Sequence, residues 1–490
     1  MENKEASLRA FLAFLREPRQ KRELLICAAA MLLLGIALHI LYPFPFFFPD
    51  TGSYVLSAKE GVFNAYRPMG YSDYLSLLHG ISSSLGFVFV ATYLLHALST
   101  LWLLFSAKFL FGIRDGRLFG ALCALAIVAP RLLFASNFLM SDSLFNTLTT
   151  LFVTSALWIC FSRNIAMILF HLFVFALLYK VRYVGMFYVP VTLLALGFMP
   201  LGRRWTKLGL MALPVLLFAV LYGSAKKEYI RQTGVDTFSA FSGWQLLNNA
   251  SVLIPEAKAG LKTQDFAPGL VRNVHAFMQS CPDTLFNRRN MLSTACMWDK
   301  DLPYKYFMFQ YMQATGQPYV PAWVQTGVVY GEYAARLIRE YPERYFSRFV
   351  LPSAGSMFAP QDIVEEKIAF VNEPMYRDYY GVTAERYEHA PRLFASLNPL
   401  RRVLNAVYWG MLVVSLVAFA VRWRKLAGEG ERKRKGALLL ASFMLIYLGS
   451  SVLASPCTTW RYSMPIYLSS LVFAAFVAQT FIGERKMAGK

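Results

Sequence analysis

Carboxylates and guanidinium groups stand at several points where long apolar runs of this sequence end. Asp50 follows three phenylalanines in "FFFPDTGSY", and Asp142 lies in "MSDSLF", just before an apolar run. Arg67, Arg182 and Arg461 occupy comparable boundaries in "YRPMGY", "YKVRYVG" and "TTWRYSM". Charged groups beside hydrocarbon are costly, and they usually serve a transport path, a partner or a reaction. A carboxylate at such a boundary could act as a general base, and an arginine could bind a phosphate through two parallel hydrogen bonds.

The composition indicates the class of protein that must position these groups. The 490 residues are 56% hydrophobic and only 16% charged, whereas soluble domains average about a quarter charged residues. Apolar runs long enough to cross a hydrocarbon core of about 30 Å predict an all-α integral membrane protein with about ten transmembrane helices. These runs cover residues 24–42, 84–110, 117–136, 143–162, 164–180, 183–200, 206–224, 403–421, 437–454 and 463–482.

The basic residues predict how the chain is oriented in the membrane. Lys and Arg give a net charge of +20, and they concentrate in every second connection between the apolar runs, as expected when those connections are cytoplasmic. This pattern predicts that both termini and the basic loop 422–435 are cytoplasmic, and it favours orientation over nucleic-acid binding as the reason for the charge. We expect a bacterial inner membrane, with the acids and arginines described above on its periplasmic side.

The same runs divide the chain into segments. We predict a cytoplasmic segment at 1–23, a transmembrane core at 24–224 with a first external loop at 43–83, and C-terminal transmembrane helices at 403–490. The long polar segment 225–402, between the seventh and eighth spans, predicts a mainly helical external domain. Within it, Cys281 and Cys296 would form a disulfide only in an oxidising compartment.

The order and spacing of the polar motifs resemble the GT-C superfamily of polytopic glycosyltransferases, which use polyprenyl-phosphate-linked sugars. It includes the protein mannosyltransferases and the lipid A aminoarabinose transferases. In that family the first external loop carries an acid, a Tyr and an Arg-Pro-x-Gly-Tyr-like turn; a second acid commonly starts a later span, and an Arg-Tyr pair often precedes the last helices. The corresponding positions here are Asp50, Tyr54, Arg67 to Tyr71, Asp142, and Arg461 with Tyr462. One acid, rather than an adjacent pair, stands at the mouth of the first span, which weakens the case for a metal there.

The resemblance implies transfer of a sugar to a glycolipid, polysaccharide or protein acceptor on the external face. Asp50 would be the catalytic base of an inverting displacement; no cofactor is required, although a divalent metal is possible. Arginines would bind the phosphate, with Lys180 as an alternate; tyrosines would contact the sugar or the phosphate, and Asp142 would orient an arginine or the acceptor. The implied substrate-binding residues are Tyr54, Arg67, Tyr71, Asp142, Lys180, Arg182, Tyr183, Arg461 and Tyr462.

Other interpretations stay open at this point. A transporter or flippase of lipid-linked saccharides or other solutes also carries charges in its membrane domain, although transporters place them near the midplane and often show inverted repeats. A non-catalytic scaffold is a further alternative. Taken singly, Asp50 could cap a helix, Asp142 could interact only with a helix dipole, and Arg182 and Arg461 could extend to lipid head groups.

Overall fold

The structure is a computed structural model that describes residues 6–42, 45–359, 369–370, 374–382, 386–387, 398–455 and 460–488. It confirms an all-α polytopic architecture, in which the described strands are one antiparallel pair of two residues each, Ala369–Phe370 and Arg386–Tyr387. The α-helices are α1 Leu8–Arg16, α2 Pro18–Leu41, α3 Thr51–Glu60, α4 Gly70–His79, α5 Leu85–Phe111, α6 Gly116–Ile127, α7 Pro130–Ala135, α8 Ser141–Phe161, α9 Ile165–Val181, α10 Val189–Phe198, α11 Arg204–Thr233, α12 Ala240–Ala250, α13 Ile254–Gly260, α14 Leu270–Ser280, α15 Arg288–Ser293, α16 Ala295–Trp298, α17 Pro303–Thr315, α18 Tyr319–Glu340, α19 Pro342–Tyr345, α20 Leu351–Met357, α21 Pro374–Tyr380, α22 Arg401–Arg422, α23 Glu431–Ala454 and α24 Met464–Ala488.

Short turns of other helical types connect these helices. The 3₁₀ turns are Tyr183–Tyr188, Ser251–Leu253, Thr263–Asp265, Asp283–Leu285, Asn398–Leu400, Lys425–Glu429 and Trp460–Tyr462, and Phe346–Val350 is a π-helical turn.

Eight of the described helical stretches are long and apolar enough to cross a membrane. The predicted fifth and sixth spans correspond to two shorter apolar helices, Ile165–Val181 and Tyr183–Phe198. The chain breaks between them because Arg182 adopts an extended backbone conformation, with φ −150° and ψ 129°. An extended residue cannot continue the helical hydrogen-bond ladder. The break exposes the Arg182 side chain to the site described below.

Helix α8 lies at the centre of the bundle, with nearly all of its residues buried. Its many hydroxyl groups are satisfied within the helix, as when Thr147, Thr150 and Thr154 donate to the carbonyl oxygens four residues earlier. Self-satisfied hydroxyls can be buried without the cost of an unpaired polar group. Helix α11, by contrast, buries almost nothing against the rest of the protein, so its apolar side chains are left to contact lipid.

Residues 225–359 of the long polar segment have a hydrophobic core separate from that of the helical bundle; we refer to them as the polar domain. Its centre is the crossing of α12 and α18, where a Cβ on Gly243 would lie 1.7 Å from the carbonyl oxygen of Gly327. Only glycine permits this approach, which lets Trp244 and Trp323 stack with their ring centroids 3.9 Å apart. Cys281 and Cys296 are both free thiols in the structure.

Candidate functional site

The first loop is fixed to the bundle by main-chain contacts with the segment that leads into α8. Phe46 pairs with Phe138 in an isolated parallel bridge, and the hydroxyl of Thr51 donates to the carbonyl oxygen of Leu139 at 2.9 Å. Farther along the loop, Ala65 is buried in the core of the polar domain, and its carbonyl oxygen accepts a hydrogen bond from Tyr229 at 3.0 Å. The loop therefore joins the helical bundle to the polar domain, and the predicted site lies at this junction.

Asp50 and Arg67 form the first acid–arginine pair of the site. The Arg67 guanidinium lies 2.5 Å from Oδ1 of Asp50, and the Asp50 side chain is 32% exposed. Arg67 also donates to the hydroxyl of Ser53 at 3.0 Å and lies over the ring of Tyr54. Asp50 occupies the N-cap position of α3, but its side chain makes no capping hydrogen bond. Its carboxylate is thus engaged by Arg67 rather than by the helix.

Asp142 and Arg182 form the second pair, in which the carboxylate is buried. Asp142 lies in the first turn of α8 and pairs with Arg182. The Asp142 side chain is 6% exposed. The Arg182 guanidinium sits over the rings of Phe145 and Tyr462, at 5.7 and 5.9 Å from their centroids. Two residues from distant parts of the chain are therefore locked together beneath the loop.

Arg461 brings a third guanidinium to the same place. It contacts the Met140 sulfur at 3.4 Å and lies 6.0 Å from the centroid of the Phe48 ring. Burial disfavours its charged form, but attraction from Asp142, with a smaller part from Asp50, leaves the pKa of Arg461 above its ordinary value. Within the described residues, no carboxylate lies at ion-pair distance from Arg461. Within the part of the chain that the structure describes, Arg461 thus adds a guanidinium without an ion-pair partner to a site with two acid–arginine pairs.

Tyr54 and Tyr71 lie beneath these charges rather than among them. They are 3% and 1% exposed and pack edge to face, with ring centroids 4.9 Å apart. Tyr54 shares a hydrogen bond of 2.8 Å with Ser141. The structure thus places these two of the four predicted substrate-binding tyrosines in the core, where Tyr54 fixes the loop to the start of α8.

Lys180 and Tyr183 lie on the other side of Arg67, where a cavity of about 350 Å³ opens between the first loop, the end of α9 and α11. Two acids that the sequence analysis did not identify, Asp73 and Glu228, also line this cavity. Asp73 stands within the loop motif "YRPMGYSDYL", so its place in that motif was the available signal. Glu228 follows the predicted seventh span by only a few residues, and nothing in its local sequence distinguishes it from an ordinary exposed acid.

A buried lysine in the polar domain also adjoins the loop. Lys305 is 6% exposed and donates to the hydroxyl of Tyr319, which also accepts a hydrogen bond of 3.1 Å from Tyr66. Burial lowers the pKa of Lys305 to about 8. Five rings lie within 6 Å of its nitrogen; this aromatic box consists of Trp244, Trp298, Phe309, Tyr319 and Trp323.

The described residues include no group of three or more His, Cys, Asp or Glu side chains that could hold a metal ion. The two acids of the site, Asp50 and Asp142, each engage an arginine instead.

The fold and the site together define a polytopic helical membrane protein with two acid–arginine pairs and an additional arginine at one end of its bundle. No protein-family model and no curated protein matches the chain. Among solved structures, the chain is similar to the archaeal oligosaccharyltransferase AglB from Archaeoglobus fulgidus in complex with an inhibitory peptide and a dolichol-phosphate. The TM-score is 0.43 at 11% identity, covering 96% of this chain and 51% of AglB. This chain thus spans about half the length of AglB.

The chain is also similar to ArnT from Cupriavidus metallidurans. The apo structure gives a TM-score of 0.35 at 14% identity, covering 94% of this chain and 77% of ArnT. The structure bound to undecaprenyl phosphate gives 0.32 at 13% identity, covering 93% and 77%. AglB and ArnT are both GT-C glycosyltransferases, the superfamily that the sequence motifs resemble. Because all three TM-scores lie below 0.5, the likeness assigns no role to any individual residue of this chain.

Proposed function

We propose that this protein is a membrane glycosyltransferase that moves a sugar from a polyprenyl-phosphate donor to an acceptor on the external face of a bacterial inner membrane. The observation that carries the proposal is the excess of positive charge in the site. Among the described residues, Arg67 and Arg182 pair with Asp50 and Asp142, and Arg461 has no carboxylate at ion-pair distance. A partly buried cluster with one surplus guanidinium favours an anion, and a lipid phosphate at the membrane boundary supplies one.

The two pairs suggest different roles for their acids. Asp142 is almost fully buried and interacts with both Arg182 and Arg461, so it holds these guanidinium groups in place for the phosphate. Asp50 keeps a third of its side chain exposed, so a hydroxyl or amine of an acceptor can reach its carboxylate. We therefore assign Asp50 as the general base and Asp142 as a positioning residue.

In the proposed reaction the acceptor oxygen or nitrogen forms a bond to the anomeric carbon of the sugar. The bond from that carbon to the phosphate oxygen breaks, and the polyprenyl phosphate leaves with the electron pair. Asp50 takes the proton from the acceptor, while Arg461 and Arg182 stabilise the charge that develops on the phosphate. A single displacement of this kind inverts the anomeric configuration.

The proposal is tested with the purified full chain in liposomes, a panel of polyprenyl-phosphate sugars and a bacterial membrane lipid extract as the source of acceptors. The measured quantity is the release of polyprenyl phosphate. We expect Arg461→Gln to lower the release roughly 10- to 100-fold, since a hydrogen bond to a charged group is worth about 1.5–3 kcal/mol. Arg461→Lys should retain part of the activity because it keeps the charge but loses the planar fork.

Arg402→Gln is the matched control, because Arg402 is an exposed arginine at the start of α22. It should release polyprenyl phosphate at the wild-type rate. If the donor crosses the liposome membrane without release of polyprenyl phosphate, the protein is a flippase and not a transferase. If Arg461→Gln released polyprenyl phosphate at the wild-type rate, the surplus guanidinium would have no role in transfer. The proposal would then lose the observation on which it rests.

A further inference from the structure

The cavity beside Arg67 has a size and a lining suited to a polar head group. Its volume of about 350 Å³ lies within the usual range of small-molecule sites. Arg67, Asp73 and Lys180 line it from two elements, the first loop and the end of α9. Gly70 fixes the distance between these elements, because a Cβ there would lie 2.6 Å from the carbonyl of Lys180.

Several polar groups around this cavity have no partner of their own. Within the described residues, Asp73 and Lys180 form no ion pair, although Asp73 interacts electrostatically with Lys180. Tyr179, which is 2% exposed, has a buried hydroxyl with no hydrogen-bond partner. Buried hydroxyls are rarely left unpaired in proteins, and each exception requires an explanation. A bound molecule that carries both an anionic group and hydroxyl or amino groups would pair with Asp73 and Lys180.

The cavity adjoins α11, a helix whose apolar side chains we expect to contact lipid. Its wall on α11 includes Leu221, Ser224 and Glu228. On the same helix, just before this wall, Leu216 and Val220 are 61% and 65% exposed. Exposed apolar residues on a membrane helix contact acyl chains, so a molecule anchored in the bilayer could place its head group in the cavity without leaving the membrane.

Arg67 connects this cavity to the proposed base. The same guanidinium lines the cavity and lies 2.5 Å from Asp50. A ligand whose anionic group binds Lys180 and Arg67 would thus lie next to Asp50. This is the position required of an acceptor that loses its proton to Asp50.

We propose that the cavity binds the head group of the acceptor, and that the acceptor is a membrane amphiphile bearing an anionic group together with hydroxyl or amino groups. That the ligand is the acceptor rests on the proposed function, but binding of a ligand to the cavity can be tested by itself. On this proposal the acceptor is not a protein. Asp73 and Lys180 are the residues that recognise the acceptor.

The test measures protection of a cysteine on the cavity wall, using the full chain in detergent. Ser224→Cys introduces an exposed thiol, and the rate of maleimide labelling of the parent protein is subtracted. Lysophosphatidylinositol, which joins an acyl chain to a phosphate and a polyol, should slow the labelling at least fivefold. Lysophosphatidylcholine, which has the phosphate but no polyol, should have little effect. Lys227→Cys is the control, because Lys227 is exposed on the same helix but does not line the cavity.

Adding Asp73→Asn and Lys180→Met to the Ser224→Cys protein should abolish the protection. Farnesyl phosphate is the third probe, because it represents the donor lipid. Protection by farnesyl phosphate and not by lysophosphatidylinositol would make the cavity a donor site and overturn the inference. If no probe slows the labelling, the inference is overturned as well.

The two proposals fail in different ways. Protection without transfer from any donor would retain the binding site and overturn the proposed function. Transfer without protection would retain the function and overturn the site. In an active protein, the Asp73→Asn and Lys180→Met pair should raise KM for a lipid acceptor about tenfold and change kcat little.

Discussion

The two acid–arginine pairs have the same chemistry but different surroundings. The Asp142 side chain is 6% exposed, and its arginine is held between two aromatic rings. The Asp50 side chain is 32% exposed, and its arginine extends from a loop that also contacts the polar domain. The Asp50 carboxylate is therefore the one that a substrate could reach, whereas the Asp142 carboxylate is enclosed.

The energetics of ion pairs support this division. Removing one member of a buried pair leaves an uncompensated charge, which costs about 3–5 kcal/mol. A fully exposed pair contributes only about 0–1 kcal/mol, and the Asp50–Arg67 pair, with Arg67 14% and Asp50 32% exposed, lies between these two limits. We accordingly expect the stability of the protein to depend mainly on Asp142, and its turnover mainly on Asp50.

The largest effect is expected for Asp50→Asn. The amide cannot accept the acceptor's proton, so kcat should fall about 10²- to 10⁴-fold, while the unfolding free energy should fall by less than it does for Asp142→Asn, because a third of the Asp50 side chain is exposed. Release of polyprenyl phosphate and the thermal unfolding midpoint are the two measurements. Asp378→Asn is the control, because Asp378 is an exposed acid that pairs with Lys59 at 3.1 Å. An Asp50→Asn protein with full turnover would exclude Asp50 as the base.

Asp142→Asn should give the reverse pattern, a loss of about 3–5 kcal/mol in unfolding free energy, since Arg182 would stay buried and unpaired. Unfolding by added SDS, followed by tryptophan fluorescence, measures this loss. Asp142→Leu combined with Arg182→Met removes both charges and should recover most of the stability but none of the activity. If the double variant were as unstable as Asp142→Asn, the loss would come from packing and not from the charge.

A third prediction concerns the contact that places Arg67. Gly70→Ala would bring a Cβ to within 2.6 Å of the Lys180 backbone. The loop would have to move away from α9, at a cost of about 1–3 kcal/mol, and turnover should fall roughly tenfold because a misplaced group is a poorer catalyst. Gly410→Ala, at a helical glycine with no neighbour within 4 Å, should have wild-type turnover. Equal turnover in the two variants would show that this contact does not position Arg67.

The class of fold could be predicted from the sequence because burial in lipid imposes one simple requirement, about 20 apolar residues for each helix. The sequence also predicted two spans on either side of Arg182, and the structure has apolar helices at Ile165–Val181 and Tyr183–Phe198. Between them the chain leaves the helix at Arg182, which pairs with Asp142. Hydropathy located both helices to within two residues, but it has no information about that tertiary contact.

The charged residues of both pairs could be named from the sequence, but their partners could not. Each lies in a recognisable motif at a membrane boundary, yet pairing Asp50 with Arg67 and Asp142 with Arg182 requires the packed bundle. Lys305 lies in no motif, since its aromatic box is assembled from α12, α16, α17 and α18. A set of contacts between separate helices leaves no local pattern to find.

The smallest effect is predicted for Lys305. This residue extends the comparison to a third buried charge. Burial lowers the pKa of Lys305 to about 8 in the folded protein, against an ordinary value of 10.5. Between these two pH values the unfolded chain binds more protons than the folded one, so this group makes the protein more stable as the pH rises. Below pH 8 the folded protein must hold a buried ammonium, and that penalty is fully present.

Lys305→Met removes the titration, so its thermal midpoint should exceed that of the wild type by roughly 2 °C at pH 6.5. The difference should shrink between pH 8 and pH 10. Lys300→Met, at a lysine that is 77% exposed, should follow the wild type across the same range. A Lys305→Met protein that is less stable than the wild type at every pH would mean that the aromatic box stabilises the cation by more than burial costs. Lys305 would then resemble Arg182, a charge that its surroundings hold in place, and not Asp50, whose surroundings leave it open to a substrate.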